Sequence, residues 1–350
     1  MRGAGPCSAM PVCRKSGYGV SRRWSSSPCS PWTEAGRRSQ AGVPVTDIGA
    51  LSSFLVSAVG LAVPLALAAL GETVSERAGV INIGLEGSVI WGALGGALGA
   101  LAAGPYGGLA AGVLAGGLAA LLFAVFAVWL NTDQIITGTA VTIGSLGFTG
   151  AVFQSRFGTT GLALELPTVS AWEVPLLSRI PVLGPAFFDQ AVTAYLAYAL
   201  VPVLGWFLFR TRWGLALRAV GQSPDSAHAA GVPVVRTRML AVVFAGMMAG
   251  LAGAHLSLVH TGTFAENMSA GKGFIAIAVV VLGRWSPKGV VAAALFFGGA
   301  EALQFALQAW DADLPYPLFL ALPYVLSLAA LAGWFGRARA PEGLALPWPR

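Results

Sequence analysis

A few carboxylates and carboxamides stand where a strongly apolar chain has no ordinary use for them. Glu86 and Glu301 lie within or at the edge of apolar runs, and so do Asn82, Gln134 and Gln304. Burying a carboxylate is costly unless it is paired, so such residues face a partner or a wet cavity. Two kinds of chemistry are open to them: a polar lining that hydrogen-bonds a small solute, or interhelical hydrogen bonds that fix a bundle. Glu72, Glu76 and Arg77 fall in a connection at 71–79, where a local charge pair at a membrane surface explains them better than solute contact. His228, His255 and His260 are scattered, with no carboxylate or cysteine at ligand spacing, which argues against a metal site. No Ser-His-Asp or paired-carboxylate arrangement can be read from motifs. Ser269-Ala-Gly-Lys-Gly273 is similar to a phosphate loop, but the upstream glycine is missing and Gly273 replaces the required Ser or Thr.

The elements that must carry these residues follow from composition. The chain of 350 residues is 56% hydrophobic and only 10% charged, against about 25% charge in a soluble domain. So little charge cannot cover a water-facing surface of this size. A bilayer core about 30 Å thick takes about 20 apolar residues in a helix. Runs at 49–70, 80–103, 106–130, 134–153, 190–209, 239–259, 273–283, 289–309 and 317–335 qualify as spans. They are continuous rather than alternating, which excludes a barrel. The expected fold is therefore all-α, a polytopic helical bundle of about 8–10 transmembrane helices embedded in the lipid bilayer. The seventh run is short and the second opens on Asn82 and Glu86, so either fits a broken or re-entrant helix. Glycines recur at spacing four, in Gly92 and Gly96, Gly95 and Gly99, Gly104 through Gly116, and Gly246 and Gly250. That spacing puts them on one helical face and predicts close packing inside the bundle.

Charge divides the chain. Residues 1–45 hold seven Arg or Lys against Glu34, and the rest is balanced, so the whole net charge of +6 lies in this first segment. With its three cysteines and its Ser, Pro and Gly, the stretch 1–47 reads as a basic, disordered extension, or as residues added by a start codon set too far upstream. It has no signal-peptide core, and nucleic acid is not an expected partner. Residues 48–336 form the transmembrane domain and 337–350 a short cytoplasmic tail. Segment 210–238 carries Arg210, Arg212, Arg218, Arg236 and Arg238 against Asp225 alone, which places it in the cytoplasm. Arg284, Lys288, Arg337 and Arg339 then fall inside, and Asp311 and Asp313 outside. Counting back from 210 puts the basic N-terminal arm outside, against the positive-inside tendency, so the parity of this half stays open.

Within that loop, the run Trp213-Gly-Leu-Ala-Leu-Arg-Ala-Val-Gly221-Gln-Ser-Pro-Asp-Ser-Ala-His-Ala-Ala-Gly231 is punctuated as two short helices. Gly221 can end the first by taking positive φ. Ser223 is suited to cap the second, with Pro224 at its first position and Asp225 at the positive end of the dipole. Ala227, Ala229 and Ala230 propagate it, Gly231 closes it, and Pro233 stops it. Its small side chains would let a partner surface come close.

Three stretches resemble the permease family that serves ATP-binding-cassette importers of branched-chain amino acids, ribose and nucleosides. Residues 71–87 follow a Gly-Glu-x-x-x-Glu-Arg-x-Gly-Val-x-Asn-Ile-Gly-x-Glu-Gly pattern similar to that of the simple-sugar and nucleoside branch. Arg218-Ala-Val-Gly221 through Ala229-Ala-Gly231 is similar to the family's ATPase-docking loop, and 273–287 to its late segment. The resemblance covers about 48–336. It implies an inner-membrane permease subunit without an ATPase site, moving nucleosides or simple sugars. A second permease, a cytoplasmic ATPase that uses the ATP, and an extracytoplasmic solute-binding lipoprotein would be its partners. The coupling residues would be Arg218, Gly221, Ser223, Pro224, Asp225, His228, Ala229, Ala230 and Gly231. The translocation path would be lined by Asn82, Glu86, Gln134, Glu301 and Gln304, with no cofactor bound by this chain. The competing reading is a gradient-driven secondary transporter, which composition supports equally well.

Overall fold

The computed structural model describes residues 47–158, 165–175, 178, 180–309, 325 and 340–348. The expected N-terminal extension and the last apolar run, 317–335, lie outside the described residues apart from Asp47 and Val325. Ten α-helices are described: α1 (Asp47–Arg77), α2 (Leu85–Ala124), α3 (Gln134–Phe157), α4 (Leu183–Phe188), α5 (Val192–Arg210), α6 (Arg212–Gln222), α7 (Pro224–Ala229), α8 (Val234–His255), α9 (Lys272–Leu282) and α10 (Pro287–Ala309). Helices α2 and α8 run on through π-helical turns, Val125–Trp129 and Leu256–Thr261. The only sheet among the described residues is a two-residue antiparallel pair, β1 (Trp172–Glu173) with β2 (Asp189–Gln190).

Six of these helices are long and apolar enough to cross a membrane. The longest, α2, is two spans. Ala103 (φ −135°) and Gly104 (φ +76°) break it, and its legs fold back on each other, so that Gly99 lies against Gly108 and Ala111. This agrees with separate runs at 80–103 and 106–130. Only glycine takes that turn without strain. Helix α9, with 11 residues, is about 16 Å long, roughly half the hydrocarbon core. It is the short seventh run of the sequence, entered from an irregular segment at 262–271. Prolines 64 and 202 sit inside α1 and α5, where neighbouring helices in a membrane bundle re-satisfy the freed backbone.

The glycine ladders explain how the bundle closes. Helix α8 lies in the groove between the two legs of α2, and the backbones touch. A Cβ built on Gly250 would run into the backbone of Gly112 and Gly116. One built on Gly92 would meet Gly250, and one on Gly253 would meet the backbone of Val89. Gly246 faces Ala120 in the same manner. Helix α1 packs on α8 and α10 around this block, and a Cβ on Gly71 or Gly298 would clash there too.

Contacts also settle which helix ends lie together. Arg77, Gly79, Asn131, Gly221, Arg238, Trp285 and residues 341–348 are joined by hydrogen bonds or backbone contact at one end. That end carries the basic loop, which the positive-inside tendency assigns to the cytoplasm. Between Asp47 and Arg210 the chain passes five times, through α1, both legs of α2, α3 and α5. Helix α1 therefore begins at the end opposite the basic loop, here termed external, and the parity conflict does not come from a miscounted span. On the external side Leu166 N–H donates to Gly262 O (3.0 Å), Val169 N–H to Leu258 O (3.1 Å), and Gln154 Nε2 to Glu266 Oε1 (2.9 Å).

The interlock predicts a sharp contrast. Gly250→Val places two methyls against backbone that cannot move aside, and overpacking of this kind costs about 1–3 kcal/mol or more. In detergent its melting temperature should fall by roughly 5 °C or more. Gly205→Ala, which meets nothing within 4 Å, should melt as the wild type does. Thermal unfolding followed by size-exclusion chromatography checks both.

Candidate functional site

The motif at 71–87 is a bracket made by the end of α1, a turn, and the start of α2. Glu72 and Glu76 are fully buried on one face of α1, so the helix runs through what the sequence suggests is a connection. They are not a surface charge pair. Glu72 Oε1 accepts from Asn82 N (2.9 Å), and Glu76 Oε2 accepts from Trp285 Nε1 (2.5 Å). Arg77 donates through Nε to Trp285 O (3.0 Å), and its guanidinium lies 5.7 Å from the Phe209 ring centroid. The sequence-based expectation fails here because the partners come from Asn82 and, 209 positions away, from Trp285. Beyond Arg77 the turn reverses through Gly79 (φ +88°).

Glu86 opens α2 and closes a second contact with the late segment. Its Oε1 accepts from Ser269 Oγ (2.5 Å) and Gly271 N (2.9 Å), and its Oε2 from Gly273 N (2.6 Å). The stretch 269–273, which fails as a phosphate loop, does wrap backbone amides around an anion, and the anion is this carboxylate. Gly271 at φ +84° sets the turn. The negative charge sits at the start of α9, where the helix dipole favours it. The motif thus holds both ends of α9: Glu86 at its N-terminus, and Glu76 with Arg77 at Trp285, just past its C-terminus.

The other polar residues of the bundle divide into two settings. Asn82 is fully buried, its side-chain amide without a partner among the described residues, and Gln134 Oε1 accepts from Ile81 N (3.0 Å), tying α3 to the same turn. Glu301 pairs with Lys272 at 2.8 Å, the only ion pair among the described residues, and its side chain stays 25% exposed. Gln304 is buried one turn further along α10. The structure therefore joins Asn82, Glu86 and Gln134 to the α1–α2 turn, and sets Glu301 beside the first residue of α9. Lys272, Ser269 and Trp285 belong to this arrangement and are missed by sequence reasoning. The glycines flanking Lys272 were the available signal.

The cytoplasmic loop forms the two helices expected. Ser223 caps α7, accepting from Ser226 N (3.4 Å), with Pro224 at the first position, Asp225 in the first turn and Gly231 at φ +82° beyond the end. Asp225, His228, Ala229, Ala230 and Gly231 are exposed, while Ala227 is buried against Val220 and Val234. Gly221 differs from expectation. It does not end α6 in a left-handed turn but lies inside it, buried, where a Cβ would strike the Arg77 carbonyl. Its smallness serves a helix crossing, not a cap. Arg218 lies over the Phe209 ring at 5.2 Å.

Residues 54–331 match the family described as the permease component of the branched-chain amino acid transport system. The chain belongs to that family. It is similar to the guanosine ABC transporter permease protein NupQ of Bacillus subtilis, with 37% identity over 86% of this chain and 98% of that protein. The nucleoside ABC transporter permease protein NupC of Lactococcus lactis is 32% identical over 80% of this chain and 91% of that protein. A Haloferax volcanii protein provisionally named a glucose ABC transporter permease is 38% identical over 73% and 78%. The permease is thus a multi-pass inner-membrane subunit of an ABC-type transport system rather than an enzyme.

Replacing Glu86 tests the bracket. Glu86→Gln exchanges an acceptor oxygen for an NH2 group that faces donors, and hydrogen bonds to a charged group are worth about 1.5–3 kcal/mol. The variant should be less stable by about 2 kcal/mol. It should also be cleaved faster by protease within 262–286, where α9 is released. Unchanged stability and cleavage would show that α9 does not depend on this carboxylate.

Proposed function

We propose that this permease is one membrane half of an ATP-driven importer of nucleosides or related simple sugars. The observation that carries the reading is the likeness to a guanosine permease over nearly that protein's whole length. It is supported by the exposed, capped α7, which packs on α6, the helix whose Gly221 meets the turn between α1 and α2. ATP is hydrolysed by a separate cytoplasmic ATPase, and an extracytoplasmic binding protein delivers the solute. A second permease, distinct from this one, completes the pathway. The sequence carries no phosphate loop of its own.

In this reading α7 is the coupling helix. Arg218, Gly221, Ser223, Pro224, Asp225 and His228 build and hold it, and Ala229, Ala230 and Gly231 are its contact edge. Closure of the ATPase pushes α7, and the bundle changes the side to which its cavity opens. Glu301 and Gln304, with Lys272, line the path, where part-exposed carboxylate and ammonium groups hydrogen-bond a sugar's hydroxyls. Asn82, Glu86 and Gln134 border the same path from the α1–α2 turn and keep its shape.

Uptake of radiolabelled nucleosides and ribose into vesicles, with and without the partner subunits, tests this. Uptake should need ATP and the partners and survive collapse of ion gradients. Uptake by the permease alone that disappears with the gradient would mean a secondary transporter. Ala229→Arg, on an exposed position, should insert and fold normally yet lose uptake at least tenfold or so, in the range of ordinary coupling energies.

A further inference from the structure

The C-terminal segment is not a free tail. Pro341 and Gly343 are buried, and residues 343–348 thread between four separate parts of the cytoplasmic end. Gly343 N–H donates to Gly221 O (2.9 Å), and Ala345 N–H donates to Gly79 O (3.1 Å). Arg238 Nη1 donates to Leu346 O (3.0 Å) while its Nε donates to Ala78 O (3.2 Å). Trp348 N–H donates to Asn131 Oδ1 (3.1 Å). Three glycines far apart in sequence, Gly79, Gly221 and Gly343, meet here, and a Cβ on Gly343 would come within 2.8 Å of Gly221 O.

The segment also reaches α7. The Trp348 ring lies 5.6 Å from that of His228 and packs on the small core of Val220, Ala227 and Val234 beneath the helix. Among the described helices, α7 packs chiefly on α6 and the start of α8. It is a six-residue element with little of its own to hold it to the membrane helices. The tail supplies that hold, with Trp348 under α7 at one end and Gly343 and Ala345 on Gly221 and Gly79 at the other. The Gly79 turn is the bend of the bracket that grips both ends of α9.

We propose that residues 341–348 are a positioning strap of the transport cycle, carrying displacement of α7 to the Ala78–Gly79 turn between α1 and α2. The proposal rests on α7 being the contact for the ATPase. A strap of this kind has a distinct signature. Weakening it leaves the ATPase able to bind and turn over, but its strokes no longer move the bundle. A segment that only stabilises the fold would lower assembly, hydrolysis and uptake together.

The test uses the full complex in proteoliposomes, reading subunit assembly, ATP hydrolysis and nucleoside uptake side by side. A chain ending at Ala340 should assemble and hydrolyse ATP but import roughly tenfold less solute per ATP. Trp348→Ala should lower that ratio roughly fivefold, and Trp348→Phe, which keeps an aromatic face for His228, should restore it. His228→Ala combined with Trp348→Ala should be no worse than Trp348→Ala alone. An unchanged ratio in the truncated chain and in Trp348→Ala overturns the strap. So does a truncated chain that fails to assemble while Trp348→Ala keeps the wild-type ratio. Ala229→Arg run in parallel separates the two readings, since normal uptake there would refute α7 as the ATPase contact and leave the strap without a stroke to carry.

Discussion

Lipid tails are as apolar as leucine, so helices in a bilayer gain little by burying hydrophobic side chains against one another. They gain instead from approach close enough for dispersion between backbones, and in this bundle that approach is made by glycine. Helix α8 fits between the legs of α2 because Gly92, Gly112, Gly116, Gly246, Gly250 and Gly253 carry no side chain where the helices cross. The block so formed has no slack. Everything else is hung on it: α1 packs against α8, α10 against α1, and α9 is held by the bracket at 71–87. A mechanism that moves solute must move this block as a unit, or move its neighbours around it.

The second constraint is that hydrocarbon offers no water to a buried polar group. Three carboxylates of the bracket are withdrawn from solvent: Glu72 finds its donor across the turn at Asn82, and the other two find theirs in segments remote in sequence. Glu86 takes two donors from the loop before α9 and a third from Gly273 in its first turn, and Glu76 takes the indole N–H of Trp285 beyond that helix. An 11-residue helix is too short to span on its own and ends inside the bundle, so its terminal amides and carbonyls would be left unmet. The bracket meets that need at the N-terminus with an anion. The same stretch of sequence thereby sets the position of α9 along its whole length.

What the sequence shows by itself follows from the range of each interaction. The apolar runs, the glycine ladders and the capping of α7 by Ser223 and Pro224 are local or periodic, and they are legible. The hairpin in α2 is legible too, because Gly104 and Pro105 interrupt the run. Glu72 and Glu76 mislead, since nothing within a turn of either one reveals Asn82 or Trp285 as donor. Gly221 misleads for the opposite reason. Its position near the end of a short helix has a plausible local explanation, a left-handed cap, while the actual one is the Arg77 carbonyl 144 positions earlier in the chain. Residues 341–348 carry no periodicity at all, and their hydrogen-bond partners are spread from Gly79 to Arg238.

These long-range contacts converge on one place. The turn at Ala78–Gly79 receives Arg238 from α8, Ala345 from the C-terminal segment and the backbone of α6 at Gly221. It is therefore the point where the glycine-locked block, the cytoplasmic helices and the bracket of α9 share atoms. A displacement of α7 that reached this turn through Gly221 or Ala345 could not be absorbed by side-chain rotation, because those two contacts are backbone to backbone. It would pass either into α1, and so to Glu72 and Glu76, or into the first turn of α2, and so to Glu86. Both routes end on α9, with Lys272 and Glu301 at its external end.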